Sequence, residues 1–158
     1  MKNLLKLSFL FLLVGMFSCA TQNKTSGYYK FETECYGVEL DGSQTLKAWG
    51  RGKNRKDAIE QAKKNAVNDV LYTGIRKGVS GCEVRPLIVE ARAKEKYEEY
   101  FYTFFEDGGL YKEFVTNDDA SLKKDKHAAG SDVVYGVVVR VLRHKLKKQL
   151  IEDQILKQ

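Results

Sequence analysis

The sequence predicts an α+β domain, in which a mixed or antiparallel sheet of about five strands is covered by amphipathic helices. Three observations indicate this class. Runs with a period of two occur in pairs, two longer segments carry apolar residues at helical spacing, and a valine-rich run near the C-terminus has the continuous apolar character of a buried central strand. Taken in order, the elements read β-β-α-β-α-β-β-α.

The first two strands are predicted as a β-hairpin. Residues 28–40 begin by alternating charged side chains with Phe31, Thr33 and Cys35, which is typical of a strand. Asp41 and Gly42 form a strong turn signal, and residues 45–49 continue as the second strand.

A long helix is predicted from Arg55 to Leu71. Asn54 is a good N-cap, Asp57 follows three residues later, and Gly74 is the expected terminator. The apolar face includes three alanines, which allow close packing on a sheet: Ala58, Ile59, Ala62, Ala66, Val67, Val70 and Leu71.

The remaining elements follow from weaker patterns. Residues 82–93 read as a strand with Pro86 at an edge or a bulge, and residues 94–107 read as a helix with an aromatic face. Residues 110–115 predict a short strand, and residues 116–131 predict a long polar loop. A central strand over 132–142 and an amphipathic helix over 143–158 complete the order.

The N-terminus reads as an export signal. Residues 1–18 combine two lysines with an apolar run that is too short to cross a bilayer. The segment MFSC resembles the lipobox of bacterial lipoproteins, which implies that Cys19 is acylated. A plain secretory signal cut after Ala20 is the alternative. The predicted organisation is therefore a signal peptide (1–18), a lipidated tether (19–27) and one domain (28–158) in the cell envelope, anchored at the outer membrane.

The charge balance argues against nucleic acid as a partner. Removing residues 1–18 leaves 140 residues with a net charge of about +4, and the basic residues are spread among acids instead of forming a stripe with interleaved aromatics. An exported chain would instead meet anionic lipids and polymers of the envelope.

Two cysteines remain after the anchor. An oxidising compartment allows Cys35 and Cys82, both in strand-like segments, to form a disulfide. The alternative is a pair of small buried thiols.

The stretch Gly50-Arg51-Gly52 precedes the long helix and invites comparison with phosphate-binding turns. It lacks the third glycine of the dinucleotide fingerprint and the pattern of a P-loop. We therefore expect Gly50 and Gly52 to turn the chain from strand to helix. The alternative is a small-anion or glycan site at the helix start, with these residues as its ligands: Arg51, Lys53, Asn54, Arg55 and Lys56.

Catalytic and metal motifs are absent from the sequence. His127 and His144 have no nucleophile or second histidine at a recognisable spacing, and neither G-x-S-x-G nor H-E-x-x-H occurs. We expect no enzymatic activity, no cofactor and no metal. Tyr102 points off the aromatic helix face, so it is an expected contact residue for a partner or glycan.

Four features together resemble an uncharacterised lipoprotein family of the Bacteroides group. They are the lipobox, the segment ECYGVELDGSQTLKAWGRGKNRKDAIEQAKKNAV, the loop GIRKG and the helix YEEYFYTFFEDGG. A strand ending in G-x-G before an alanine-rich helix is also similar to small envelope lipoproteins of the flagellar-assembly and penicillin-binding-protein-activator types. The second resemblance implies a compact domain that binds partners. The sequence therefore predicts a membrane-anchored, non-enzymatic accessory or protein-binding module, with glycan or small-anion binding at residues 51–56 as the alternative.

Overall fold

The α+β prediction is confirmed by the structure, a computed structural model that describes residues 31–117, 125–129 and 131–157. The strands are β1 (Glu34–Val38), β2 (Gln44–Gly52), β3 (Lys77–Gly78), β4 (Val115–Asn117), β5 (Asp125–Ala129) and β6 (Asp132–Val141). The helices are α1 (Arg55–Asn68), α2 (Ala93–Lys96), α3 (Glu98–Phe105) and α4 (Arg143–Glu152), with a π-helical turn at Asp69–Thr73 and a 3-10 turn at Leu110–Phe114.

The sheet is mixed and has the order β3-β1-β2-β6-β4, with β5 also paired to β6. β2 occupies one side of β6, so β4 and β5 share the other side. β4 pairs with residues 139–141 of β6, and β5 pairs with residues 132–136 of β6. Six strands therefore fill five positions, in agreement with the expected number. Among the strand pairs of the described residues, only that of β1 with β3 is parallel.

The core lies between the sheet and α1. Alternate residues of β2 are buried on the face that carries the helix, where Leu46 and Ala48 are fully inaccessible. The alanine face of α1 packs against them, and Ala58, Ala62 and Ala66 are fully buried as well. Small side chains on the helix thus bring its backbone close to the strand.

Gly50 and Gly52 lie inside β2, so the prediction that they turn the chain from strand to helix was wrong. Neither glycine has a positive φ. A Cβ atom added at Gly50 would lie 2.1 Å from the carbonyl oxygen of Ala58 and 2.2 Å from the amide nitrogen of Ala62. The glycines are therefore required because the backbone of α1 crosses directly over the strand.

The start of α1 and the terminator after it agree with the prediction. The Asn54 side chain accepts a hydrogen bond from the Asp57 amide (3.0 Å) and caps the helix. The α-helix ends at Asn68, earlier than the predicted Leu71, and continues as the π-helical turn. Gly74 then ends the turn with a φ of 75°.

Three of the weaker predictions were wrong or partly wrong. Residues 82–93 are not a strand, because their amides bond to carbonyls of the helix end: Leu87 donates to Val70 and Ile88 to Leu71, each at 2.9 Å. Residues 110–114 form a 3-10 turn, and the strand begins only at Val115. Within the predicted loop 116–131, residues 116–117 and 125–129 belong to strands, whereas 118–124 and 130 lie outside the described residues.

The two C-terminal helix predictions are confirmed with adjustments. The aromatic helix is divided into α2 and α3 by Tyr97, whose backbone (φ −115°, ψ 28°) is not helical. The last helix, α4, ends at Glu152. No helix among the described residues is both long enough and apolar enough to cross a bilayer. Cys19 and the tether lie outside these residues.

Candidate functional site

The residues of the predicted anion or glycan site do not all face one cavity. Arg51 and Lys56 line a cavity of about 390 Å³ beside α1, whereas Lys53, Asn54 and Arg55 do not. Arg51 is bonded to Asp132 through Nε (2.8 Å). Asn54 uses its side-chain oxygen to cap α1. The site therefore stays a prediction, reduced to two of its five residues.

The cavity walls carry carboxylates as well as cations. Lys64 pairs with Asp107 (2.8 Å), and Lys112 approaches Glu60 (3.4 Å). The Tyr111 hydroxyl donates a hydrogen bond to the Glu60 carboxylate. Burial acts to raise the pKa of Glu60, but the bond from Tyr111 and the nearby lysines outweigh burial and hold that pKa below its usual value. The cations are thus largely compensated by carboxylates of the protein itself.

Of the two alternatives for the cysteines, the structure contains the disulfide. The Sγ atoms of Cys35 and Cys82 are 1.97 Å apart. Cys35 is fully buried in β1, while Cys82 lies in an irregular loop. The bond fixes the loop 79–84 against β1, next to the hydrogen bond from the Val79 amide to the Cys35 carbonyl (3.0 Å).

The outer side of β1 carries a large apolar surface. β3 pairs with only Glu34 and Cys35, so the residues 36–38 have no strand partner on that side within the described part of the chain. Six of the eight exposed large apolar side chains in this part lie on β1 or in the segments beside it. We call this group the apolar edge: Phe31, Tyr36, Val38, Leu40, Val79 and Val84.

A second surface, on α3, is acidic and aromatic. Tyr102 is exposed over 76% of its surface, which agrees with the expectation that it points away from the aromatic core face. Exposed Glu98, Glu99 and Glu106 surround it, and residues 97–109 contain no basic side chain. A shallow, mainly apolar groove of about 450 Å³ runs beside it, lined by Glu99, Tyr100, Thr103, Phe104, Glu106, Gly109 and Leu110. We call Glu98, Glu99, Tyr102 and Glu106 the acidic face of α3.

The aromatic side chains on the other side of α3 hold it in place. Phe101 and Phe104 are buried, and the ring of Phe104 stacks on Phe114 with the centroids 5.9 Å apart. Tyr100 donates a hydrogen bond to Asp153 after α4 (2.6 Å). The acidic face is therefore presented by a helix that is fixed against the core.

The sequence analysis missed the apolar edge, although a signal was present. Up to Cys35 the apolar or small residues of the first strand occupy odd positions, whereas Tyr36, Val38 and Leu40 occupy even ones. The change of parity corresponds to a β-bulge between Cys35 and Gly37. The contact between Glu60 and Tyr111 had no such signal, because 51 positions separate the two residues.

Within the ranges that the structure describes, no group of three histidine, cysteine, aspartate or glutamate side chains is arranged to hold a metal ion. His144 lies exposed at the start of α4, and His127 belongs to β5. Comparison of the chain with protein-family models, curated proteins and solved structures finds no significant match. The resemblance to the lipoprotein families therefore stays a prediction.

Proposed function

We propose that this protein is a lipid-anchored, non-enzymatic module of the cell envelope that binds another protein through the acidic face of α3. The observation that supports this most is the exposed Tyr102, which stands among three carboxylates on a helix that is itself well packed. Tyrosine is one of the residues that most often dominate the binding energy of protein interfaces.

The charge of the acidic face indicates the chemistry of its partner. The chain as a whole carries a net charge of +6, yet Glu98, Glu99, Glu106 and Asp107 follow one another with no base between them. Asp107 pairs with Lys64, which leaves the three glutamates as the negative surface around Tyr102. A surface of this kind attracts a basic protein segment and increases its rate of association. The adjacent groove accommodates an apolar side chain of the same partner.

Site-specific photocrosslinking in living cells tests this assignment. A photoreactive phenylalanine at position 102 is expected to give a discrete adduct with one envelope protein, and the same residue at the exposed position Lys147 of α4 serves as the control. The variant with Glu98→Gln, Glu99→Gln and Glu106→Gln should lose the adduct while its circular dichroism remains that of the parent. Once identified, the purified partner should bind more weakly as salt is raised. The same protein adduct in equal yield from positions 102 and 147, or an adduct that persists when the three glutamates are replaced, would contradict the proposal.

Lipidation at Cys19 is tested separately. Radiolabelled palmitate is expected to enter the protein and to be lost in a Cys19→Ala variant. Incorporation that persists in the variant would show that the anchor lies elsewhere, and absence of label from the parent would refute anchoring.

The alternative function is glycan or small-anion binding near Arg51 and Lys56, and it is favoured only by their shared cavity. Retention of the purified protein on peptidoglycan or anionic polysaccharide, lost in an Arg51→Gln and Lys56→Gln variant, would favour this alternative over protein binding.

A further inference from the structure

We propose that the apolar edge rests on the surface of the lipid bilayer, so that the domain lies on the membrane with β1 facing the bilayer. This inference depends on the lipid anchor of the proposed function, because the anchor holds the domain near a bilayer. It concerns a different surface from the acidic face of α3.

Five members of the apolar edge lie on β1, in its turn or in the loop fixed to it, whereas the ring of Phe31 packs on Trp49 of β2 (centroids 4.7 Å apart). The disulfide and the hydrogen bond from Val79 to Cys35 hold the loop 79–84 against β1. The Gln44 side chain, opposite Val38 in the hairpin, donates a hydrogen bond to the Glu83 carbonyl (3.4 Å) and so places Val84 beside the same strand. Leu40 follows in the hairpin turn with its side chain fully exposed.

The position of this surface in the chain identifies the bilayer as its occupant. Phe31 is the first described residue and shortly precedes β1, and eleven residues, 20–30, lie between it and Cys19, which makes twelve Cα-to-Cα steps. A chain of that length spans at most about 43 Å. α3 lies elsewhere, since the 3-10 turn that packs on it leads into β4 at the opposite side of the sheet. The surface that joins the tether is therefore the apolar one.

The chemistry of the apolar edge suits the interfacial region of a membrane. Tyrosine and phenylalanine favour this region, and aliphatic side chains gain free energy by leaving water. Exposed Arg76 and Arg85 stand beside the edge, where cations interact with anionic headgroups, and the exposed acids Asp41 and Glu83 flank it as well. The carboxylate of Glu34 on β1 is paired with Lys77, and that of Glu39, directly after β1, is paired with an arginine of β6. The contact is expected to be mainly apolar and therefore to persist at high salt.

Lipid-mediated photolabelling tests the orientation with the mature, acylated protein. The protein is reconstituted in vesicles of phosphatidylethanolamine and phosphatidylglycerol that contain a lipid with a diazirine in its acyl chain, and labelled residues are mapped by mass spectrometry. Label is expected on Tyr36, Val38 and Leu40. Val89 and Tyr102 are the internal controls, because their exposed fractions, 79% and 76%, exceed the 47% of Tyr36. Labelling that followed exposure alone would favour these controls over Tyr36 and Val38, so the comparison is made with those two residues.

A matched pair of variants adds a second test. Leu40→Glu places a charge at the proposed contact and should reduce labelling of Tyr36 and Val38 roughly tenfold, since a charge is costly in the apolar part of a bilayer. Val89→Glu introduces the same charge at another exposed aliphatic site and should leave labelling unchanged. Both side chains lie outside the core, so neither variant is expected to unfold.

The outcomes separate this inference from the anchoring on which it depends. Vesicle flotation with label on Val89 and Tyr102 at the level of Tyr36 would overturn the orientation and leave the anchor intact. Flotation without label on β1, together with a protein adduct from a photoreactive residue at position 36, would assign the edge to a protein partner instead and overturn the proposal. Failure of the protein to float would refute both.

Discussion

The close approach of α1 to β2 makes Gly50 a position at which a single methyl group should cause severe damage. In a Gly50→Ala variant, the new Cβ would lie 2.1 Å from the Ala58 carbonyl oxygen, whereas ordinary contacts begin at 3.4 Å. The neighbouring atoms belong to the backbone of α1, so no side-chain rotation relieves the clash. The helix would have to move by roughly 1.3 Å away from the strand.

Such a movement separates the alanine face of α1 from the sheet along its length. Overpacking of a core costs about 1–3 kcal/mol, and we expect the upper end here because the obstacle is a helix backbone. A loss of about 3 kcal/mol corresponds to a fall in Tm of roughly 10 °C for a domain of this size. Thermal and urea unfolding followed by circular dichroism measure the change.

Gly37→Ala provides the matched control. Gly37 also lies in a strand, has no positive φ, and a Cβ there would meet nothing within 4 Å. Replacing it should leave stability unchanged or raise it by up to about 1 kcal/mol, since alanine restricts the unfolded chain. If Gly50→Ala were as stable as Gly37→Ala, the account of the helix packing would be refuted.

Three further predictions concern the disulfide and the titrating groups. Replacing both Cys35 and Cys82 by serine should lower the free energy of unfolding by up to about 4 kcal/mol, because the disulfide closes a long loop. Reductant should have no further effect on the stability of this variant. A variant Tm equal to that of the parent would contradict the prediction. The folded-state pKa of Glu60 is lowered, so its contribution to stability is present above pH 4.5 and is lost as the pH falls through the folded-state pKa. Glu60→Gln should therefore destabilise the protein at neutral pH. A difference in stability between this variant and the parent that persisted in acid would argue against the ionised contact with Tyr111. Burial, aided by the bond to Asp153, raises the pKa of Tyr100, so stability should fall as the pH rises above 10; a Tyr100→Phe variant with an identical alkaline unfolding profile would contradict this.

The elements that the sequence predicted well are those with local signals. Asn54 and Asp57 mark the start of α1 through capping, and Asp41 and Gly42 mark the hairpin turn. These interactions connect residues only a few positions apart, so they can be inferred without knowing the fold.

The elements that were mispredicted depend on distant contacts. Residues 82–93 have the composition of a strand, but the carbonyls of Val70 and Leu71 and the bond to Cys35 hold them as an irregular segment. Gly50 looked like a turn because the helix that crosses over it is visible only in three dimensions.

The candidate surfaces show the same division. Helical spacing alone placed Tyr102 off the aromatic face, whereas its exposure is known only from the structure. The apolar edge required knowledge that β3 covers only two residues of β1 and that a disulfide brings the loop 79–84 beside it. Neither fact has a local signal in the sequence, in contrast to the change of parity after Cys35.

The central claim is that the anchored domain turns one surface to the membrane and another to a protein partner. One photocrosslinking measurement in intact cells, made with the photoreactive residue at position 36 or at position 102, tests it most directly. The account predicts phospholipid adducts from position 36 and a single protein adduct from position 102. The same adducts from both positions, or protein from 36 and lipid from 102, would contradict it.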